Sequence, residues 1–194
     1  GPVITELFSP AAPEFLQQLA AALPNFTLEV SLESHDPAVR AAFGKHYGNA
    51  PIERTISDAL AVGAKRVDVF FMAGLPQQTA DSVLGTIDYC EELLRRFGRD
   101  GRLIPFISPL APFLDPGSRG FEHPDEHGYK LFARTLEEHR QRLGAPSWKY
   151  VLNYETRWMT RDQLVDVTYA AGKRQHILLP AQTYFLSNEG TEGE

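Results

Sequence analysis

The residues whose types and spacing could do chemistry fall into a few groups. Glu29, Ser31 and Glu33 alternate with Leu28, Val30 and Leu32, so on a strand the two sets face opposite sides. Two carboxylates inside a closed lumen are costly unless they are paired, hydrogen-bonded or holding a ligand. The plainer alternative is an open, solvated face or an ion pair with a lysine. Gly74-Leu75-Pro76-Gln77-Gln78-Thr79 links an apolar run to a helix start. A glycine there lets backbone approach a flat ligand, and the first helical N–H groups are available. Lys45-His46-Tyr47 could hold an anion or simply be exposed. His123 and His127 stand four apart with Asp115 upstream, a spacing that in a helix can bind metal, as in an α/β metallohydrolase. His123 falls at a helix cap before Pro124, however, which favours a cap and an exposed histidine. The lone Cys90 lies on an apolar helical stripe and reads as a core thiol. No nucleophile elbow, phosphate-binding glycine loop or Cys-x-x-Cys is present.

The elements that must position these groups follow from periodicity. Val3 to Phe8 predicts a first strand, and Ser9-Pro10 a helix start with Phe15, Leu16, Leu19, Ala22 and Leu23 inward. Phe26 to Ser34 is a second strand, and Pro51 to Val62 a helix stopped by Gly63. Val67 to Ala73, apolar but for Asp68, has the composition of a buried parallel strand. Thr79 caps a helix to Phe97, and Leu103 to Ile107 is a fourth strand. A helix is expected from His123 to Leu143, with Phe132, Leu136 and Leu143 inward. An extended stretch follows at Trp148 to Asn153, then a capping box at Thr160 and Gln163 before a helix ending near Gly172.

Strands alternating with helices at this spacing imply βαβ units and a parallel sheet. Four units are about half of an eight-fold barrel, so the choice lies between a partial barrel and a small open α/β sheet. In both, the binding face is formed by the loops after the strands. Here those are Ser34 to Asn49, Gly74 to Gln78 and Ser108 to Gly120. The last is Pro/Gly-rich and carries Phe113 and Leu114, which can meet a ligand or lie as a lid on the protein itself.

With 194 residues, 43% hydrophobic and 23% charged, the chain has the make-up of an ordinary globular domain. A net charge of −6 argues against nucleic acid or an anionic membrane as main partner. No apolar run approaches membrane-helix length. A single cysteine excludes internal disulfides and indicates a reducing, cytoplasmic setting.

The string Leu28 to Thr79, LEVSLESHDPAVRAAFGKHYGNAPIERTISDALAVGAKRVDVFFMAGLPQQT, resembles the second half of the radical S-adenosylmethionine barrel in proteins with an N-terminal cobalamin-binding domain. That group shows an S-x-E-S strand, then a helix, then a strand ending in F-x-x-G-L-P-x-Q-T. PFISPLAPFLDPGS and the region from Gly128-Tyr129 to Trp158-Met159 extend the likeness, which covers about residues 3 to 174. The resemblance implies an α/β fold, a partial TIM-type barrel of about four parallel βα units (barrel strands three to six) with a C-terminal helical extension. Residues 175 to 194, polar towards the end, are expected to form a partly disordered tail. It also implies that Ser31 and Glu33 contact the ribose and methionine parts of S-adenosylmethionine, and that Arg40 and Lys45 face its carboxylate. Gly74, Leu75 and Pro76, with Ser108 to Leu110, would flank the adenine.

The family's three-cysteine C-x-x-x-C-x-x-C motif and the glycine-rich second-strand motif are absent from this sequence. One cysteine cannot hold a four-iron cluster. The expectation is therefore a fragment, inactive alone, of a parent that carries the [4Fe-4S] cluster and cobalamin and performs radical methyl transfer or rearrangement. Its natural partner would be the missing N-terminal half, with two further βα units. The uncovered sheet edges lead to an expectation of self-association, as a two-fold homodimer. The competing reading is a non-catalytic half-barrel that binds a nucleotide-like ligand or a protein partner.

Overall fold

A computed structural model describes residues 3–109 and 114–178. Its first half is a repeated strand-and-helix unit: β1 (Ile4–Leu7), α1 (Pro13–Ala22), β2 (Thr27–Glu33), α2 (Pro37–Ala42), α3 (Asn49–Ala61), β3 (Arg66–Ala73), α4 (Ala80–Phe97) and β4 (Leu103–Pro109). The four strands pair in chain order, β1-β2-β3-β4, and every pair is parallel. The alternation in β2 decides the packing. Leu28, Val30 and Leu32 join Val67, Val69, Phe71 and Leu103 in one buried face. Leu16 of α1, Ile52, Ile56 and Ala59 of α3, and Cys90 and Leu93 of α4 cover that face. The helices thus lie on one side of the sheet.

The second half is an extension of short pieces: α5 (Arg119–Glu122), α6 (Pro124–His127), β5 (Tyr129–Leu131), α7 (Leu136–Leu143), α8 (Trp148–Val151), β6 (Tyr154–Thr156) and α9 (Arg161–Leu178). β5 and β6 form an antiparallel pair. A second core joins Phe121, Tyr129, Leu152, Tyr154, Met159, Leu164 and Val167 to Ala73, Val83 and Ile87 of the sheet half.

Several boundaries differ from the sequence reading. α1 starts at Pro13 behind Ala12, not at Ser9-Pro10. The loop after β2 contains α2, capped by the Asp36 carboxylate, which accepts from the Ala38 N–H at 2.8 Å. The single helix expected over 123–143 is broken by Gly128, which takes a left-handed φ of +73°. Chain direction then reverses into β5, and α7 begins anew at a Thr135/Glu138 capping box. Leu136, expected inward, is 88% exposed, and Leu143 is exposed too. The stretch at 148–153 is α8 followed by a turn into β6 rather than extended chain. The Thr160/Gln163 box is present, and α9 runs past Gly172 to Leu178. The tail expected from 175 lies, beyond Leu178, outside the described residues.

The two edges of the sheet are treated differently. Beside β4, the amide of Gln175 on α9 accepts from the Ile107 N–H at 3.0 Å and donates to the Pro105 carbonyl at 3.0 Å. One side chain thus takes two of the hydrogen bonds that a fifth strand would take, at Pro105 and Ile107. At the other edge, Ile4, the first residue of the short strand β1, and Phe8 just beyond it are exposed, the kind of edge that another strand can extend.

Candidate functional site

The C-terminal end of β2 gathers the most specific geometry. Ser31 pairs with Phe70, but Glu33 pairs with Phe71, so Leu32 is an extra residue and β2 bulges there. Glu33 takes a φ of +69°, a left-handed conformation that a long side chain adopts at a cost. The residue is 4% exposed. Its Oε1 accepts from Lys45 Nζ at 2.6 Å, while Oε2 is buried without a partner. Lys45 Nζ also donates to the Ser31 carbonyl at 2.5 Å and lies 5.2 Å from the Phe8 ring centroid. The hydroxyl of Ser31 donates to Glu6 Oε1 at 2.5 Å. The ion pair named as an alternative for this polar face is therefore present, and it uses only one of the two Glu33 oxygens.

Arg40 is fully buried, and its fork is occupied. Nε and Nη2 donate to the Tyr47 carbonyl at 3.0 and 2.7 Å, Nη1 to the Ser34 carbonyl at 2.7 Å, and Nη2 to Asn49 Oδ1 at 2.8 Å. Burial pushes its pKa below the usual guanidinium value. It clamps the start of α2 to the start of α3 and thereby shapes the loop that carries Lys45. Arg40 and Lys45 thus sit on one loop with different duties: one locks the backbone, the other reaches the strand end.

The turn after β3 is also committed inwardly. Gln78, fully buried, accepts through Oε1 from the Gly74 and Leu75 N–H groups at 2.8 and 3.2 Å, and donates to the Met72 carbonyl at 2.9 Å. Leu75 and Pro76 are buried. Gly74 has a φ of +100°, and a Cβ on it would lie 2.6 Å from the Tyr154 hydroxyl. Its missing side chain admits the extension's tyrosine. Ser108 pairs with Met72 near the same end of the sheet, and Leu110 lies outside the described residues. Gln78 was not singled out in the sequence, although a glutamine four residues after the turn glycine is the signal for such a clamp.

His35 was also missed. Its Nδ1 bonds Thr86 Oγ1 at 3.0 Å, Gly85 leaves room for its ring, and burial holds its pKa below the ordinary value. His123 lies 3.7 Å from Glu126 and is exposed. Among the described residues no group of three His, Cys, Asp or Glu side chains is placed to hold a metal ion. Cys90 is buried, and burial pushes its thiol up to about 12, which suits core packing rather than ligation. No helix among the described residues is long and apolar enough to cross a membrane.

No family model and no curated protein matches the chain. Among solved structures, it superposes on the radical S-adenosylmethionine methyltransferase TsrM from Kitasatospora setae, solved with cobalamin and a [4Fe-4S] cluster bound. The TM-score is 0.57 at 16% identity, over 88% of this chain. The architecture is a partial TIM-type barrel. The match spans 36% of the TsrM chain. A second structure, the radical enzyme coproporphyrinogen III oxidase (HemN) from Escherichia coli, matches at a TM-score of 0.42 and 15% identity, over 80% of this chain and 40% of that one.

Proposed function

We propose that this chain is the C-terminal part of a radical S-adenosylmethionine barrel and forms the nucleoside side of the cofactor site. The observation that carries the reading is the unpaired Oε2 of Glu33, buried at the carboxyl end of β2 on a strained bulge. A buried carboxylate oxygen without a donor is costly, and a ribose hydroxyl is a donor of the right kind. Lys45, already on Oε1, fixes the carboxylate and carries the charge suited to an anionic group beside it. S-adenosylmethionine fits these residues: Glu33 would accept from the ribose, Ser108 would border it, and Lys45 would attract its carboxylate. The bound cofactor would supply the sulfonium whose reductive cleavage starts the radical chemistry.

The [4Fe-4S] cluster does not fit. Its thiolates cannot come from one buried Cys90, so no step is assigned to this chain through it. The thiolates would reside in a segment that pairs with β1, and cobalamin would be bound outside this chain. The reaction, methyl transfer or rearrangement, belongs to the assembled protein. Until that segment adds, the β1 edge is the place where two copies would associate.

Calorimetry with adenosine and with S-adenosylmethionine tests the cofactor reading. Weak binding of both is expected, because the cluster that chelates the methionyl amine and carboxylate is missing. Glu33→Gln should reduce adenosine affinity about tenfold, the loss of one charge-assisted hydrogen bond. Identical affinities in the two proteins would remove Glu33 from the site.

A further inference from the structure

The face of the sheet opposite the helices carries a feature that the cofactor reading does not use. In parallel register, Glu6 of β1 stands beside Glu29 of β2, and Glu29 beside Asp68 of β3. Three carboxylates therefore form one row across three neighbouring strands, two residues before the Ser31 level. Glu6 accepts from the Ser31 hydroxyl, and among the described residues one guanidinium pairs with the row. Arg66 donates through Nε and Nη2 to Asp68 Oδ2 at 2.9 and 2.6 Å. It leaves Asp68 Oδ1 buried and unpartnered, on a residue only 1% exposed. Glu29 is held above the ordinary carboxylate range by burial first, then by Asp68 and Glu6. Burial does the same to Asp68, against the opposing pull of Arg66. The next level of this face carries Ser31 beside two aromatic rings, Phe70 and Phe106, packed edge-on at 4.0 Å between ring centroids and both half-buried.

An aligned triad of acids with one counter-ion and one orphaned oxygen is short of positive charge. The aromatic level beside it offers a surface for an aliphatic stem. We propose that the Glu6–Glu29–Asp68 row receives one cationic side chain, a guanidinium or ammonium, carried by the segment that adds to the β1 edge. Glu6 lies on that edge strand, so a neighbour in parallel register places a side chain next to the row. This rests on the half-barrel reading above, but it concerns a different level of the face from the Glu33 site. The role is assembly, with charge choosing the register of the added strand.

The probe is ethylguanidinium, with neutral ethylurea as control, followed on the carboxyl carbons of the intact chain by NMR. Ethylguanidinium should give saturable shifts at Asp68, Glu29 and Glu6 and should lower the midpoint of Glu29 titration. Ethylurea should do neither. Asp68→Asn should weaken the saturation at least about tenfold, and Glu29→Gln, at a more open position, gives the same reading if Asp68→Asn fails to fold. Equal shifts with ethylurea, no saturation, or unchanged affinity in a folded variant would overturn the proposal. Adenosine binding, measured on the same samples, reports the Glu33 site separately and should be unchanged by either substitution.

Discussion

The sheet half and the C-terminal extension are held together by different physics. In the sheet half, continuous apolar faces of β2, β3, α3 and α4 meet, and the buried polar clamps of Arg40 and Gln78 stand in the connections after β2 and β3 rather than within that core. In the extension, backbone direction is fixed by polar clamps. Asn153, fully buried, donates to His139 Nε2 at 2.8 Å and accepts from the Leu114 N–H at 3.1 Å. His139 in turn bonds the Thr135 carbonyl at 2.9 Å, so Nδ1 carries the proton and Nε2 accepts. Arg142 donates to the Phe132 and Tyr150 carbonyls. Area burial tolerates small changes of shape, whereas a clamp fails when one member is removed. The extension should therefore be the more brittle region.

The largest expected effect is at the seam. Tyr154 is fully buried between Gly74 and Tyr129, and the two tyrosine rings meet edge-on at 5.5 Å. Tyr154→Ala should cost about 3–5 kcal/mol in urea unfolding. Hydrogen exchange in that variant should show β5 and α7 losing protection while β2 and β3 keep theirs. Equal loss in both halves would mean that they are one cooperative unit. Gly74→Ala, with its positive φ and the hydroxyl in its path, should cost about 2 kcal/mol. Adding Tyr154→Phe should restore part of that, a coupling that a double-mutant cycle detects.

Asn153→Ala should cost about 2 kcal/mol, because it removes the side chain that accepts from the buried Leu114 N–H and bonds His139. An equal volume removed from the sheet core by Ile56→Val should cost about 1 kcal/mol, and a reversed order would break the comparison. Gln175→Ala should cost about 1 kcal/mol, and sedimentation should show more self-association than in the parent chain.

The smallest effect is one of pH. Asp68 and Glu29 titrate above the ordinary carboxylate range, so between the ordinary and raised values the native chain binds more protons than the unfolded one. Their contribution to stability then falls as pH rises through that window. Asp68→Asn should therefore gain on the parent by less than about 1 kcal/mol at neutral pH. That gain should vanish in urea titrations well below the window.

The same contrast explains what could be read from the sequence. The period-2 pattern of Leu28, Val30 and Leu32 and the 3.6-period stripe of Ile52, Ile56 and Ala59 name their own partners, and the parallel sheet followed. At the candidate site, Ser31 and Glu33 were legible because acids alternate with aliphatics. The ion pair of Glu33 with Lys45 was legible only as an alternative, since the two stand twelve residues apart with α2 between them. In the extension, Leu136 and Leu143 have helical spacing without an apolar surface to meet. Gly128 breaks the expected helix with a left-handed turn, and His139, Asn153 and Arg142 act through backbone carbonyls that no residue pattern identifies. The acidic row was hidden for a related reason. Glu6, Glu29 and Asp68 are far apart in sequence, and only strand register sets them side by side.

The Gln175 amide beside β4 has a further consequence, for growth. A parallel sheet with two free edges is a monomer of a linear polymer, since each edge of one copy fits the opposite edge of the next. With the Pro105 carbonyl and the Ile107 N–H engaged by Gln175, head-to-tail propagation would lose two bonds at the middle of β4. In the half-barrel reading proposed above, addition at β1 would then be a terminating event: one segment would dock, or two copies would meet β1 to β1 in antiparallel fashion, and the assembly would stop at two. One glutamine would thereby give a fixed stoichiometry where two free edges would permit open-ended growth.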